Sequence, residues 1–382
     1  MELTSGSAGN GGAVAGGLSL DMLAKLYIEP TNHCNLDCRT CMRHGWEEDL
    51  GFMEFRLFEK ILEGLHFQAT MPLIFFGGFG EPLVHPDIAV MVTKAKAAGA
   101  RVELITNGIL LSEELARRLV TAGLDFLWLS IDGASPQSYA DIRLGNHLPQ
   151  IIAILRRLRR QRIFNFGQTP ELGISFVAMK RNIADLPKVL DLGLRLGATS
   201  FLVSNIEAYT AAMGNELLYS HSLSNPSHLH HLEMPRLDLG TENDDVLKRL
   251  IGRFTLPGLM GAKNADHLGA CPFLERGSVS VRWDGQVSPC LPLLHAHSVY
   301  TNGYSRFWQE FHVASAVDRD FGDIWNDKDY RTFRRKLLDF SFAPCTMCNS
   351  CDLPNLNGED CYGNVHPACG GCLWSQGFIQ CP

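Results

Sequence analysis

Between residues 23 and 203 the chain repeats one pattern. A short, near-continuous apolar run is followed by a longer stretch with apolar residues at helical spacing. The runs at 26–29, 73–76, 102–106, 126–130, 172–178 and 200–203 predict strands. They do not alternate with polar residues, which suits parallel strands covered on both faces. The stretches at 55–65, 88–98, 112–122, 148–162 and 186–196 predict the helices between them. Strand–helix alternation implies right-handed βαβ units in an α/β fold. Six strands are too few for a closed eight-stranded barrel. The expected architecture is a partial (β/α)6 TIM-like barrel over residues 21–209, with chemistry at the C-terminal strand ends. Residues 210–256 are polar and His-rich and read as a bridge. After the Pro257-Gly258 turn signal, strand and turn patterns at 278–282, 284–285 and 286–288 predict a small, loop-rich, Cys-rich domain over 257–382. Residues 1–20, rich in Gly, Ser and Ala, read as a flexible tail.

Charge narrows the class. Lys plus Arg number 34 against 41 Asp plus Glu, a net charge of −7. That argues against nucleic acid or an acidic membrane as partner, since both select clustered positive charge. The run Arg156, Arg157, Arg159, Arg160 and Arg162 reads as the solvated face of a barrel helix near its C-terminus, where cations suit the dipole. No apolar run reaches the ~18 residues of a membrane span. The start lacks the basic region of a secretory signal. The expected location is the cytoplasm.

Twelve cysteines change the picture more than charge does. Cys34, Cys38 and Cys41 stand together, and the other nine fall within residues 271–381. In a reducing compartment, clustered thiols point to metal rather than disulfides. The first three follow directly on the first predicted strand with C-x3-C-x2-C spacing. Three thiolates cannot complete a four-ligand zinc site. They can hold three irons of a 4Fe–4S cluster and leave the fourth iron open.

This arrangement resembles the radical S-adenosylmethionine (SAM) superfamily. The resemblance implies that the open iron binds the amino and carboxylate groups of SAM, and that the reduced cluster cleaves SAM to a 5′-deoxyadenosyl radical. Thr40 stands where family members often carry an aromatic residue. Gly77, Gly78, Gly80 and Glu81 end the second strand and look like the family's glycine-rich motif, with Glu81 expected on the SAM ammonium. The resemblance also implies that Ser130 and Asp132, at the fourth strand end, meet the ribose. Thr106-Asn107-Gly108 reads first as a turn, and Asn205 at the sixth strand end is expected to face the adenine or the substrate.

The late cysteines resemble the SPASM extension, which carries auxiliary 4Fe–4S clusters. Cys271, thirteen residues, Gly285, four residues and Cys290 fit its first part. Then come Cys345 and Cys348, an inserted Cys351–Cys361 segment, Cys369, Cys372 and Cys381. Carried over by order, one cluster would use Cys271, Cys290 and Cys372 with Cys351 or Cys361. The other would use Cys345, Cys348, Cys369 and Cys381. The alternative is one or two zinc ribbons, since C-x2-C pairs suit zinc as well. His228, His230, His231, His295 and His297 are expected in exposed loops.

The phrases around Cys34–Cys41 and Cys345–Cys381 look most like the maturases of tungsten-cofactor oxidoreductases. That implies a protein or cofactor substrate and an electron donor such as ferredoxin or flavodoxin. Peptide-modifying SPASM enzymes are the alternative. The roughly twenty residues before the first strand are too few for a leader-binding domain. A non-catalytic electron-transfer protein with several clusters is a third reading, and the glycine and Glu81 motif argues against it.

Overall fold

A computed structural model describes residues 21–164, 170–219, 232–233, 246, 270–301, 303–346, 348 and 350–382. The expected tail, most of the bridge, and His228, His230 and His231 lie outside the described residues.

The first half alternates as the pattern implies. β1 (Lys25–Ile28), α1 (Phe55–Gly64), β2 (Leu73–Phe76), α2 (Ile88–Ala97), β3 (Val102–Thr106), α3 (Glu113–Thr121) and β4 (Phe126–Ser130) follow one another. An unexpected helix, α4 (Pro136–Arg143), precedes α5 (Leu148–Phe164), β5 (Glu171–Ala178), α6 (Leu186–Leu196) and β6 (Ser200–Asn205). Helix ends follow local chemistry. Ser112 accepts from Leu115 N at 3.1 Å to cap α3, and Ser135 and Ser138 form a reciprocal capping box on α4.

After α7 (Ala211–Gly214) and the two-residue β7 (Leu232–Glu233), the cysteine-rich region supplies α8 (Pro272–Glu275), β8 (Ser278–Val281), β9 (Gln286–Ser288), β10 (His297–Thr301), β11 (Tyr304–Trp308) and β12 (Ala314–Ser315). Helices α9 (Phe321–Trp325) and α10 (Lys328–Asp339) follow. β1 to β6 pair in parallel in sequence order. β8 pairs in parallel with the free edge of β1, so the later region continues the barrel sheet instead of forming a separate unit. β10 and β11 form their own antiparallel pair.

The sheet has two apolar faces because successive strand side chains point to opposite sides. Leu26, Ile28, Ile74 and Phe76 face the helices, in one large cluster. Phe58, Ile61 and Leu62 of α1 bury against that face, each contributing ~1.5–3 kcal/mol. Tyr27 and Phe75 face the lumen and pack there with Phe273, Leu373, Trp374 and Phe378. Residues 373–382 therefore cross the open side of the barrel. Phe378 O accepts from Asn205 on β6, and Pro382 O accepts from Tyr27 Oη at 2.7 Å on β1. Arg156, Arg157, Arg159 and Arg160 are exposed, and Arg157 pairs with Glu113, as expected of a solvated face. Among the described residues no helix is long and apolar enough to cross a membrane.

Candidate active site

The loop after β1 is held by its own side chains. Asn32 donates to Asp49 O and accepts from Gly51 N, and Thr31 Oγ1 donates to Gly51 O. Arg43 donates to Asn32 O and Leu36 O, fixing the ends of the cysteine segment. Each of the three thiols then meets a different donor. Asn107 Nδ2 lies 3.9 Å from Cys34 Sγ, Arg143 Nη1 3.6 Å from Cys38 Sγ, and Arg43 Nε 3.2 Å from Cys41 Sγ. Burial pushes the Cys34 and Cys38 thiols up, and Arg43 and Arg143 pull against it. N–H donors aimed at thiol sulfur favour the thiolate that binds iron and help set a cluster's potential.

Arg143 was not singled out in the sequence. It sits at the end of the unexpected α4, and Asp132 Oδ2 lies 2.5 Å from its Nη2. Burial lowers its pKa, but Asp132 and Cys38 outweigh burial and hold it above the usual guanidinium value. Asp132 also accepts from Val177 N, so its carboxylate is fixed while it orients Arg143.

The glycine turn touches the cysteine loop at close range. A Cβ on Gly80 would fall 2.0 Å from Thr31 O, and one on Gly78, at φ +144°, would fall 2.7 Å from Glu29. Glu81 N donates to His33 O at 2.8 Å. The Glu81 side chain is held by its own chain. It is buried and accepts from Thr106 Oγ1 at 2.6 Å, Leu83 N at 3.0 Å and Asn107 N at 2.7 Å. It ties the β2 turn to the β3 turn and thereby aims Asn107 at Cys34. Ser130 is half-buried at its strand end. Asn205 donates to Phe378 O at 2.8 Å and so holds the lumen-crossing segment in place.

Eight of the late cysteines fall into two groups. Cys271, Cys290, Cys369 and Cys372 line one cavity, whose wall includes Arg334 and Trp308. Burial pushes Cys271 up to about 11 and Cys372 up to about 12, and holds Cys290 and Cys369 well above the usual thiol value. Arg334 is 2% exposed, and its guanidinium stacks 3.8 Å from the Trp325 ring centre and 4.5 Å from that of Tyr330. The Tyr330 hydroxyl is its polar neighbour, and burial lowers the Arg334 pKa. A buried guanidinium in a thiol-lined cavity suits an anion, and an iron–sulfur cluster on four thiolates is one.

The second group forms around Arg306, which donates to Cys345 O and Cys348 O, both at 2.9 Å. Cys345, Cys348 and Cys351 lie within its electrostatic reach, and Cys361 lies within that of Cys345. This grouping differs from the partition by order. Cys369 joins Cys271, while Cys351 and Cys361 join Cys345. Cys381 Sγ accepts from Trp374 Nε1 at 3.2 Å. The reason is the return of residues 369–372 onto Ala343, so close that a Cβ on Gly370 would fall 1.8 Å from Ala343 O.

His295 and His297, expected in an exposed loop, are buried. His297 Nδ1 donates to His295 O at 2.9 Å, and its Nε2 faces Glu207 Oε2 at 3.6 Å. Their local sequence carries no helical or strand periodicity that marks them as interior.

Residues 28–192 match the radical SAM superfamily, and residues 271–352 match SPASM, an iron–sulfur cluster-binding domain. The chain is 30% identical over 371 residues to the tungsten-containing aldehyde ferredoxin oxidoreductase cofactor-modifying protein of Pyrococcus furiosus, covering 94% of this chain and 96% of that one. Its fold is similar to that of anSMEcpe with bound AdoMet, with a TM-score of 0.58 at 16% identity over 93% of this chain and 96% of that one. It is also similar to Streptococcus suis SuiB bound to S-adenosylmethionine, with a TM-score of 0.58 at 16% identity over 90% of this chain and 73% of that one. With its three donor-tipped thiols at the mouth of a partial barrel and a thiol-rich region completing the sheet, the chain belongs to the radical SAM superfamily and is a radical SAM enzyme with a C-terminal SPASM domain.

Proposed function

We propose that Cys34, Cys38 and Cys41 hold a 4Fe–4S cluster whose fourth iron takes SAM, and that the enzyme uses the resulting chemistry to mature a tungsten oxidoreductase or its cofactor. The observation that carries the first part is the separate N–H donor on each of the three thiols. Similarity along nearly the whole chain to a protein named for modifying such a cofactor supports the second. When bound, the cluster supplies one electron to the SAM sulfonium, releasing methionine and the 5′-deoxyadenosyl radical.

The chain's own residues do the positioning. Arg43 and Asn32 fix the loop, and Glu81 fixes Asn107. Arg143, beside Cys38, is the cation placed to meet a carboxylate brought to the open iron. Residues 373–382 cover the lumen from the side and limit water there. Cys271, Cys290, Cys369 and Cys372 would hold one auxiliary cluster, and Cys345, Cys348, Cys351 and Cys361 a second. Ferredoxin or flavodoxin would supply the electron.

The test is anaerobic incubation of the reconstituted enzyme with SAM and dithionite. 5′-Deoxyadenosine should form. A tungsten oxidoreductase produced without its maturase should gain activity on addition of the enzyme and SAM. Absence of 5′-deoxyadenosine defeats the first part, and an unaltered oxidoreductase defeats the second.

A further inference from the structure

His295 sits where four parts of the molecule meet. It belongs to the SPASM region, five residues after Cys290, yet its ring is fully buried. Its Nε2 lies 2.8 Å from Glu29 Oε1 at the end of β1. Its Nδ1 lies 2.6 Å from Glu48 Oε2, on the segment that follows Cys41. Trp46 stacks on the ring at 4.2 Å, and Phe79 of the glycine turn meets it edge-on at 5.5 Å. With an acceptor at each nitrogen, the ring satisfies both only as the imidazolium. Burial lowers the His295 pKa, but Glu29 and Glu48 outweigh burial and raise it to about 9.

Glu29 passes this contact on. Its second oxygen accepts the Phe79 N–H at 2.9 Å, and its side chain is what a Cβ on Gly78 would strike. The glycine turn therefore rests on a carboxylate whose other oxygen is held from the SPASM side.

We infer that His295 is a positioning residue for SAM: through Glu29 it sets the glycine turn, and so couples the seating of the SPASM region to SAM binding. The inference rests on reading that turn as part of the SAM site. The charged groups facing His295 are Glu29 and Glu48. Arg282 lies 3.7 Å from Glu48 and pairs with Asp284 and Glu310, and His312 lies 3.9 Å from Glu310. His297, two residues on, is the nearest other titrating ring. The His295 pKa is raised on folding. Its contribution is therefore full below its ordinary value of 6.5 and is lost as pH rises through about 9.

The experiment measures SAM affinity by calorimetry on the fully reconstituted enzyme from neutral pH to about pH 10, with iron content measured in parallel. Wild type should lose affinity as pH passes about 9. His295→Gln should bind SAM about tenfold more weakly at neutral pH, with iron unchanged and the pH break gone. Glu48→Gln leaves Glu29 untouched but removes one of the two carboxylates, so the break should move to lower pH. A purely structural histidine would lower thermal stability and leave SAM affinity and its pH profile where they were, and that result overturns the inference. So does an unmoved break in Glu48→Gln. Gly78→Ala separates the inference from its premise. If it binds SAM like wild type, the turn is no part of the site and both readings fall. If it weakens SAM while His295→Gln does not, only the role of His295 falls.

Discussion

The two thiol-rich ends of this enzyme are prepared in different ways. Around Cys34, Cys38 and Cys41 the protein supplies a donor to every sulfur, and the donors are themselves fixed by Glu81, Asp132 and backbone carbonyls. Around Cys271, Cys290, Cys369 and Cys372 it supplies burial, thiols pushed far up, and one buried guanidinium. The first site is organised by the fold before anything binds. The second encloses four thiols and a buried guanidinium, an arrangement that an anionic cluster would complete. The contrast fits a division of labour in which the SAM end is reached by a ligand and the SPASM end is enclosed.

Four experiments test that contrast. The largest expected effect is at the SAM end. Replacing Cys34, Cys38 and Cys41 together with Ala should abolish 5′-deoxyadenosine formation and remove about four irons, leaving the rest of the chain folded. Chromatographic assay and iron analysis check both. Global unfolding instead would mean that the first site depends on metal for its order.

Next is Asp132→Asn. It leaves Arg143 buried beside an uncharged group, and breaking a buried pair costs about 3–5 kcal/mol. Denaturant melts should show a loss of that order, and the Arg143→Met, Asp132→Asn double variant should recover part of it. A double-variant loss equal to the sum of the Asp132→Asn and Arg143→Met losses would mean that the two residues act independently.

Arg334→Met should then act in the opposite sense at the two ends of the folding–loading cycle. It removes a buried cation, so the metal-free chain should gain stability by about 1–3 kcal/mol. The loaded protein should release iron from the Cys271 group sooner under chelator. Arg334→Lys should fall between wild type and Arg334→Met. A metal-free chain destabilised by Arg334→Met would show that stacking on Trp325 and Tyr330 outweighs the buried charge.

An effect of similar size is expected from Glu81→Gln. The carboxylate accepts three hydrogen bonds, and the amide must turn a donor toward one of those donors. The expected cost is about 1.5–3 kcal/mol of stability, with a SAM affinity loss that follows from the misplacement of Asn107. A large affinity loss with unchanged stability would put Glu81 in direct ligand contact.

The sequence by itself determined the barrel. The runs at 73–76, 102–106 and 126–130 are β2, β3 and β4 to the residue. Helix periodicity placed α6 at both ends. These elements are legible because a parallel strand buried on both faces must be apolar throughout, whatever lies beside it. The three thiols after β1 and the glycine turn after β2 were legible for a related reason, since each motif is continuous and its spacing is its chemistry. Helix α4 was not legible, because its stretch from Pro136 to Arg143 has little apolar periodicity and is set by the Ser135 cap. Only the tertiary structure decided what joins across the chain. Arg143 reaches Cys38 from about a hundred residues away, Cys369 joins Cys271 instead of Cys345, and His295 is buried between Glu29 and Glu48. Asn205 and Glu81 also hold the chain to itself, which one dimension does not show. A polar side chain carries no mark of its partner. Which donor meets which acceptor is fixed by the close packing of distant segments, and local spacing has no access to that.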